Sequence, residues 1–265
     1  MLHNIQSMNN TIEEIFKIDK IGKGIAVKIL FAFLVMLRIA INVFPIGSTD
    51  FDNLYSYANK LLEDPSIAQT MTLADIPISR GNLIYLASIL LTEFICICGY
   101  YIYVGIMIRA MRAGDDKYKP ISLSRLAGRI VILMAVTCVL FFPMSIILLY
   151  LFLFFIIIFP WLFMFPACYL SGDSGFFMSF AEVFRKNKGY YFVNVRNLAI
   201  IMMLSLFLQM ISVIIGKVYE PVFVVLDSFI FVFTMFCIAR YSCLIYRRML
   251  LLPVKGKGPV EPLNR

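Results

Sequence analysis

IVILMAVTCVLFFPMSIILLYLFLFFIIIFPWLFMFPACYL, residues 130–170, runs for forty-one positions without a charged side chain. The core of a bilayer is spanned by roughly 20 helical residues. This run is therefore long enough for two passes, one up and one back, with a turn expected near Leu149 to Leu153. Pro143, Pro160 and Pro166 are expected to kink these two helices rather than end them, because neighbouring helices can satisfy the carbonyls a proline frees. A chain built this way is an integral membrane protein.

Working outward, four further apolar runs have span length. They are about Ala26 to Phe44, Asn82 to Ile108, Phe192 to Ile215 and Pro221 to Ile245. The expected fold is all-α and polytopic, with six transmembrane helices and one interfacial amphipathic helix. A tail (1–25) would precede the six-helix domain (26–248), and a second tail (249–265) would follow it. Composition agrees: 61% of the 265 residues are hydrophobic and 15% are charged, against roughly 45–50% apolar for a soluble domain. No cleavable leader is expected, since the first run has full span length and no small-residue cleavage site follows it.

Lysine and arginine mark sidedness. They cluster at 17–28, 109–129, 185–196 and 240–265, which together hold twenty of the 24 basic residues. With six passes all four clusters fall on one side, expected to be the cytoplasmic face of a bacterial inner membrane, with both termini there. The net charge of +8 is then explained by anionic lipid headgroups. No aromatic-plus-basic module points to nucleic acid.

The six cysteines all fall in apolar segments, so no structural disulfide is expected. Cys96 and Cys98 read as small apolar residues of a helix rather than half a metal site. The only histidine, His3, lies in the tail, which excludes a histidine-based metal or nucleophile site within the membrane. HExxH, GxSxG and GxxxxGK[ST] are absent, and the spans hold only one aspartate, Asp227, where an intramembrane aspartyl protease needs two. No catalytic residue, metal or cofactor is expected.

Three places invite attention. Arg38, Glu93 and Asp227 lie inside spans, where a charge costs roughly 2.5–3.5 kcal/mol unless paired or wet. They read as an interhelical ion pair that fixes helix contacts, or as a substrate or proton path with Glu93 as the protonatable group. Depth favours Asp227 as the partner of Arg38. Asn42 and Gln209 are weaker polar insertions that interhelical hydrogen bonds explain.

Second, SGDSGFFMSFAEVFRKNKGYYF (171–192) predicts an amphipathic helix in the inner interface. Phe176, Phe180 and Phe184 would face acyl chains, with Arg185, Lys186 and Lys188 toward headgroups. Asp173 or Ser174 would cap it and Gly189 would end it. It reads as a linker helix or as a coupling surface for a cytoplasmic partner. Third, the outer segment Gly47 to Arg80 predicts a helix capped by Thr49 or Asp50 and stopped at Glu63-Asp64-Pro65, which would cap the bundle or meet an external partner. Near the N-terminus, Ile12, Ile15 and Phe16 suggest a short helix on the inner surface.

The stretch from Phe159 to Leu204 resembles a group of bacterial multi-pass membrane proteins similar to the membrane domain fused to some glycerophosphodiester phosphodiesterases. The carrying features are Pro166-Ala167, Gly172 to Gly175, Phe180-Ala181-Glu182 and Gly189-Tyr190-Tyr191. Where a typical member has Ser-x-x-Leu after the alanine, this chain reads Val183-Phe184-Arg185-Lys186. The resemblance implies a six-helix membrane domain and supplies no catalytic residue. The expected role is a non-catalytic accessory or scaffold protein acting on membrane partners or lipids. The alternative is a small transporter or permease-like subunit using Arg38, Glu93 and Asp227. Expected partners are the bilayer, and other membrane proteins or a cytoplasmic partner at 171–189.

Overall fold

The computed structural model describes residues 13–20, 24–64, 66, 72, 76–113, 121–139, 160, 162–187 and 191–251. Among these the chain is helical and holds no strand. In order the helices are α1 (Gly24–Val43), α2 (Asp52–Glu63), α3 (Arg80–Ala113), α4 (residues 123–139), α5 (Phe165–Leu170), α6 (Phe176–Asn187), α7 (Tyr191–Gly216) and α8 (Glu220–Leu251).

Four of them, α1, α3, α7 and α8, are long and apolar enough to cross a membrane. They correspond to the first, second, fifth and sixth expected spans. The other two fall on residues 130–170. Most of that run, including Pro143 and the expected turn near Leu149 to Leu153, lies outside the described residues. Pro166 differs from expectation. The chain turns at 163–164, and Pro166 occupies the first turn of a separate short helix, α5. Its missing N–H is an orphan there in any case, so it starts a helix instead of kinking one.

α1 and α7 are apolar around most of their circumference, and each buries only a stripe. In α1 that stripe includes Val27 and Leu34, while Ile25, Ile29, Phe33 and Met36 stand exposed at helical spacing. In α7, Met203, Phe207, Met210 and Ile214 do the same. A helix whose exposed face is this apolar is suited to lipid.

α8 is the central post. It lies against α1, α3, α5 and α7, and α1 also meets α3. Its C-terminal half is buried on every side, from Phe236 through Tyr246 apart from a half-buried Ile238. Aromatic rings fill the space around it: Tyr103 lies 4.6 Å from Phe236, and Phe163 stacks on Tyr241 at 5.4 Å.

The helix ends sort by charge. The start of α1, the end of α3, the α5–α6 turn, the start of α7 and the end of α8 gather at one end. Links there include Tyr103 to Ile18, Arg112 to Asp173, and Tyr246 to Ser171. That end carries the basic clusters.

The opposite end is closed by a clasp. Ser79 and Asn82 form a reciprocal cap at the start of α3: Asn82 N–H donates to Ser79 Oγ (3.0 Å), and Ser79 N–H to Asn82 Oδ1 (3.1 Å). Asn82 Nδ2 then donates to the carbonyls of Ser48 (3.0 Å) and Asp50 (2.6 Å). Gly47 has φ +104° beside this clasp, a conformation costly for any residue with a Cβ. Beyond it, α2 buries no residue and leaves Tyr55 and Leu62 exposed, so it does not cap the bundle. Its first residue is not capped by a side chain at the cap position. Asp50 instead accepts the Asp52 N–H at 3.0 Å from one residue further upstream.

Candidate functional site

The three charges expected inside the spans come together. Counting 1.5 Å per residue, Arg38 lies about 8 Å from the C-terminal end of α1, Asp227 about 10 Å from the N-terminal end of α8, and Glu93 about 20 Å along α3. Arg38 Nη1 hydrogen-bonds directly to Glu93 Oε1. Arg38 Nη2 lies 3.8 Å from Asp227 Oδ2, too far for a hydrogen bond. The order of partners is thus the reverse of the one depth suggested: Glu93 takes the direct contact and Asp227 the looser one. One turn on from Asp227, the Phe231 ring stacks 3.7 Å from the guanidinium carbon. The Arg38 side chain is 12% exposed, against 28% and 29% for the two carboxylates. Three helices are therefore tied at one point by one arginine.

At the basic end a second arginine site grips the turn before α6. Arg129, projecting from α4, donates to the carbonyls of Tyr169, Ser174 (2.9 Å) and Gly172 (3.4 Å), and its guanidinium lies 4.7 Å from the Tyr169 ring. Arg112 at the end of α3 pairs with Asp173. Gly172 supplies the φ of +89° that the turn requires. Ser174 does not cap the α6 backbone; its hydroxyl instead meets Ser179 Oγ at 2.7 Å and Glu182 at 3.4 Å.

α6 docks by a face other than the phenylalanine one. Ser179, Val183 and Asn187, at i, i+4 and i+8, are the buried residues. Phe176 leans on Phe165 (5.0 Å) and Tyr169 (5.4 Å), and Phe180 on Phe165 (5.7 Å) and Phe184 (4.9 Å). Phe176, Phe180 and Phe184 thus form an aromatic ridge partly covered by α5. The most exposed apolar groups are Phe177 (85%) and Met178 (70%), with Ala181 and Arg185 beside them. Lys186 pairs with Glu182 at 2.5 Å and lies over the Tyr246 ring. Lys188 and Gly189 lie outside the described residues.

No family model, curated protein or solved structure matches the chain. The reading of the site therefore rests on its own geometry.

Sequence reasoning missed a fully buried polar cluster between these two sites. Asn187 donates to the Pro160 carbonyl (3.0 Å), Asn194 to Asn187 Oδ1 (2.6 Å), Tyr241 to Asn194 Oδ1 (2.8 Å) and Asn197 to the Tyr241 hydroxyl (3.0 Å). All four residues are at most 2% exposed. The cluster stitches α6, α7 and α8 together where an unmet polar group would cost several kcal/mol. Its signal was present in the spacing of Asn194, Asn197, Ser205 and Ser212, which repeat along one face of α7. Thr234 meets Ser205 at 2.9 Å on the same seam.

The N-terminal segment also differs from expectation. Among the described residues 13–15 are helical, and this turn tucks into the bundle instead of lying on its surface. Ile15 is buried and Phe16 stacks on Phe233 at 6.3 Å. Arg240, buried in α8, donates to the carbonyls of Glu14 (2.5 Å) and Lys20 (3.4 Å), and Tyr103 to that of Ile18 (3.1 Å). Arg240, by sequence one more inner-face charge, is a structural tie. The cysteines are free thiols, and Cys96 and Cys98 differ in burial, as residues two apart on a helix do.

Proposed function

We propose that this chain is a non-catalytic accessory or scaffold protein of the bacterial inner membrane, its basic end facing the cytoplasm. In this reading α6 lies along the inner leaflet as the surface through which lipids and membrane partners are engaged. The observation that carries it is the exposed pair Phe177 and Met178 on the helix that follows the turn gripped by Arg129 and Arg112, with Arg185 beside them. An apolar face flanked by cations suits the boundary between headgroups and acyl chains. The rigid turn beneath it fixes how the face is presented.

The test is a spin label at Met178 in the full chain reconstituted into vesicles of mixed anionic and neutral phospholipid. The reading expects quenching by a lipid-soluble relaxant and little by a water-soluble one. Phe177→Asp with Met178→Asp should then release partners that copurify in mild detergent while the helical content stays. A label in bulk water, or partners retained by the double variant, would contradict it. Solute uptake by the purified chain in vesicles, lost in Glu93→Gln, would instead favour the transporter reading.

A further inference from the structure

α2 buries none of its side chains, yet its sequence is that of a two-faced helix. At 3.6 residues per turn, Leu54, Tyr55, Tyr57, Ala58, Leu61 and Leu62 fill one side. Asp52, Asn53, Ser56, Asn59, Lys60 and Glu63 fill the other. One edge of the apolar side, Leu54, Tyr57 and Leu61, is half-buried. The other edge, Tyr55, Ala58 and Leu62, is exposed, with Tyr55 at 67% and Leu62 at 80%. These three sit at i, i+3 and i+7 and so form one continuous stripe. A single exposed leucine needs no explanation, but a stripe that continues a larger apolar surface does.

The position of α2 says what covers the stripe. The chain leaves α1 through Val43, Phe44 and Ile46, all exposed. It then runs beside the first turns of α3. The Ser48 N–H donates to the Gly81 carbonyl at 3.0 Å, and the Phe51 ring lies 6.0 Å from that of Tyr85. α2 therefore starts level with Tyr85, about 8 Å along α3. On that stretch of α3, Leu83, Ile84 and Leu86 are exposed. Both α1 and α3 are long and apolar enough to cross a membrane, so α2 begins where their lipid-suited surfaces end. A helix standing upright from there would wet its stripe along a length of about 18 Å; one lying flat removes it from water. Tyr55 and Tyr57 suit this level, where the ring meets acyl chains and the hydroxyl meets headgroups. Charge selects the lipid. Asp50, Asp52, Glu63 and Asp64 stand against one lysine, Lys60. Anionic headgroups would repel this segment, as would the same acidic segment of a second copy.

We propose that α2 is an interfacial helix that lies on a zwitterionic phospholipid surface at the clasped end of the bundle. Tyr55, Ala58 and Leu62 enter the boundary between headgroups and acyl chains, and Ser56, Lys60 and Glu63 face water. The clasp holds the start of α2 against α3, so this contact sets how deep α1 and α3 sit in the bilayer. It is independent of the role given to α6, which lies at the opposite, basic end.

The experiment places an environment-sensitive fluorophore on Ala58→Cys or on Ser56→Cys, in the full chain otherwise free of cysteine. The protein is reconstituted at high dilution into vesicles of phosphatidylcholine and phosphatidylethanolamine. The label at 58 should emit to the blue and be quenched by lipids carrying a nitroxide near the headgroup. The label at 56 should emit to the red and be quenched by aqueous iodide. Tyr55→Asp together with Leu62→Asp changes only exposed side chains; it should move the emission at 58 to the red and abolish the lipid quenching, with helical content unchanged. Replacing part of the lipid by phosphatidylglycerol at low salt should weaken the lipid quenching at 58, and added salt should restore it. A label at 58 in bulk water would overturn the proposal. So would a blue-emitting label that lipid nitroxides do not quench, since its cover is then protein. Quenching that survives the double variant, or that phosphatidylglycerol leaves unchanged or strengthens, would overturn it as well.

Discussion

Removing Arg38 is the perturbation that separates a working ion pair from a coincidence of charge. Arg38→Ala takes away a charge-assisted hydrogen bond to Glu93 and leaves that carboxylate largely buried. Breaking a buried pair from one side typically costs about 3–5 kcal/mol. The Glu93 side chain keeps 28% of its exposure, so the low end, about 3 kcal/mol, is expected. Adding Glu93→Gln removes the orphaned charge, and the double variant should be more stable than the sum of the two single losses implies. The coupling between Arg38 and Glu93 should be about 1.5–3 kcal/mol, the range for a hydrogen bond to a charged group. The coupling between Arg38 and Asp227 at neutral pH should be below about 1 kcal/mol, since no hydrogen bond joins them. The assay is SDS-induced unfolding in lipid–detergent micelles, followed by circular dichroism, over both double-mutant cycles. Losses for Arg38 and Glu93 that add within about 0.5 kcal/mol, or a larger coupling to Asp227, would refute the reasoning.

Tyr241→Phe removes the hydroxyl that both donates to Asn194 and accepts from Asn197; two buried groups are left unmet, and the same unfolding assay should show a loss of about 2–4 kcal/mol. Gly47→Ala sets a Cβ against the Gly81 carbonyl and 2.7 Å from the Tyr85 nitrogen at φ +104°, so it should destabilise the outer clasp by about 1–3 kcal/mol, read as faster hydrogen exchange at residues 48–52. The Ser66 hydroxyl and backbone N–H hold the Asp64 carboxyl below its usual range. That contact is made above the ordinary carboxylate pKa and lost as pH falls through the lowered value; Ser66→Ala should move the Asp64 titration upward, as followed by NMR of the side-chain carboxyl.

How far each element was legible follows from what encodes it. α1, α3, α7 and α8 were readable to within a few residues, because length and unbroken apolarity are local properties of the chain. The 34-residue α3 runs past its apolar core to Ala113, since Arg109 and Arg112 favour the helix as much as they favour water. The charges inside spans were conspicuous for their cost. Which carboxylate Arg38 would touch was not, because side-chain reach and helix rotation decide it and depth alone does not. The face by which α6 docks was not legible for a related reason. Helical periodicity draws the eye to the large apolar phenylalanines, whereas the surface meeting the bundle is lined by Ser179, Val183 and Asn187, small enough for close approach. The asparagine cluster escaped because each asparagine looks like an interfacial residue until its partners from three helices are known.

The proposed orientation puts the basic end of the bundle inside and its clasped end outside. Single cysteines at Ser56 on α2 and at Ala181 on α6, introduced into a chain otherwise free of cysteine, can be probed in intact cells with a membrane-impermeant maleimide. The account predicts labelling at 56 in intact cells, and none at 181 until the cells are opened. Labelling at 181 from outside, or at 56 only after opening, would contradict it.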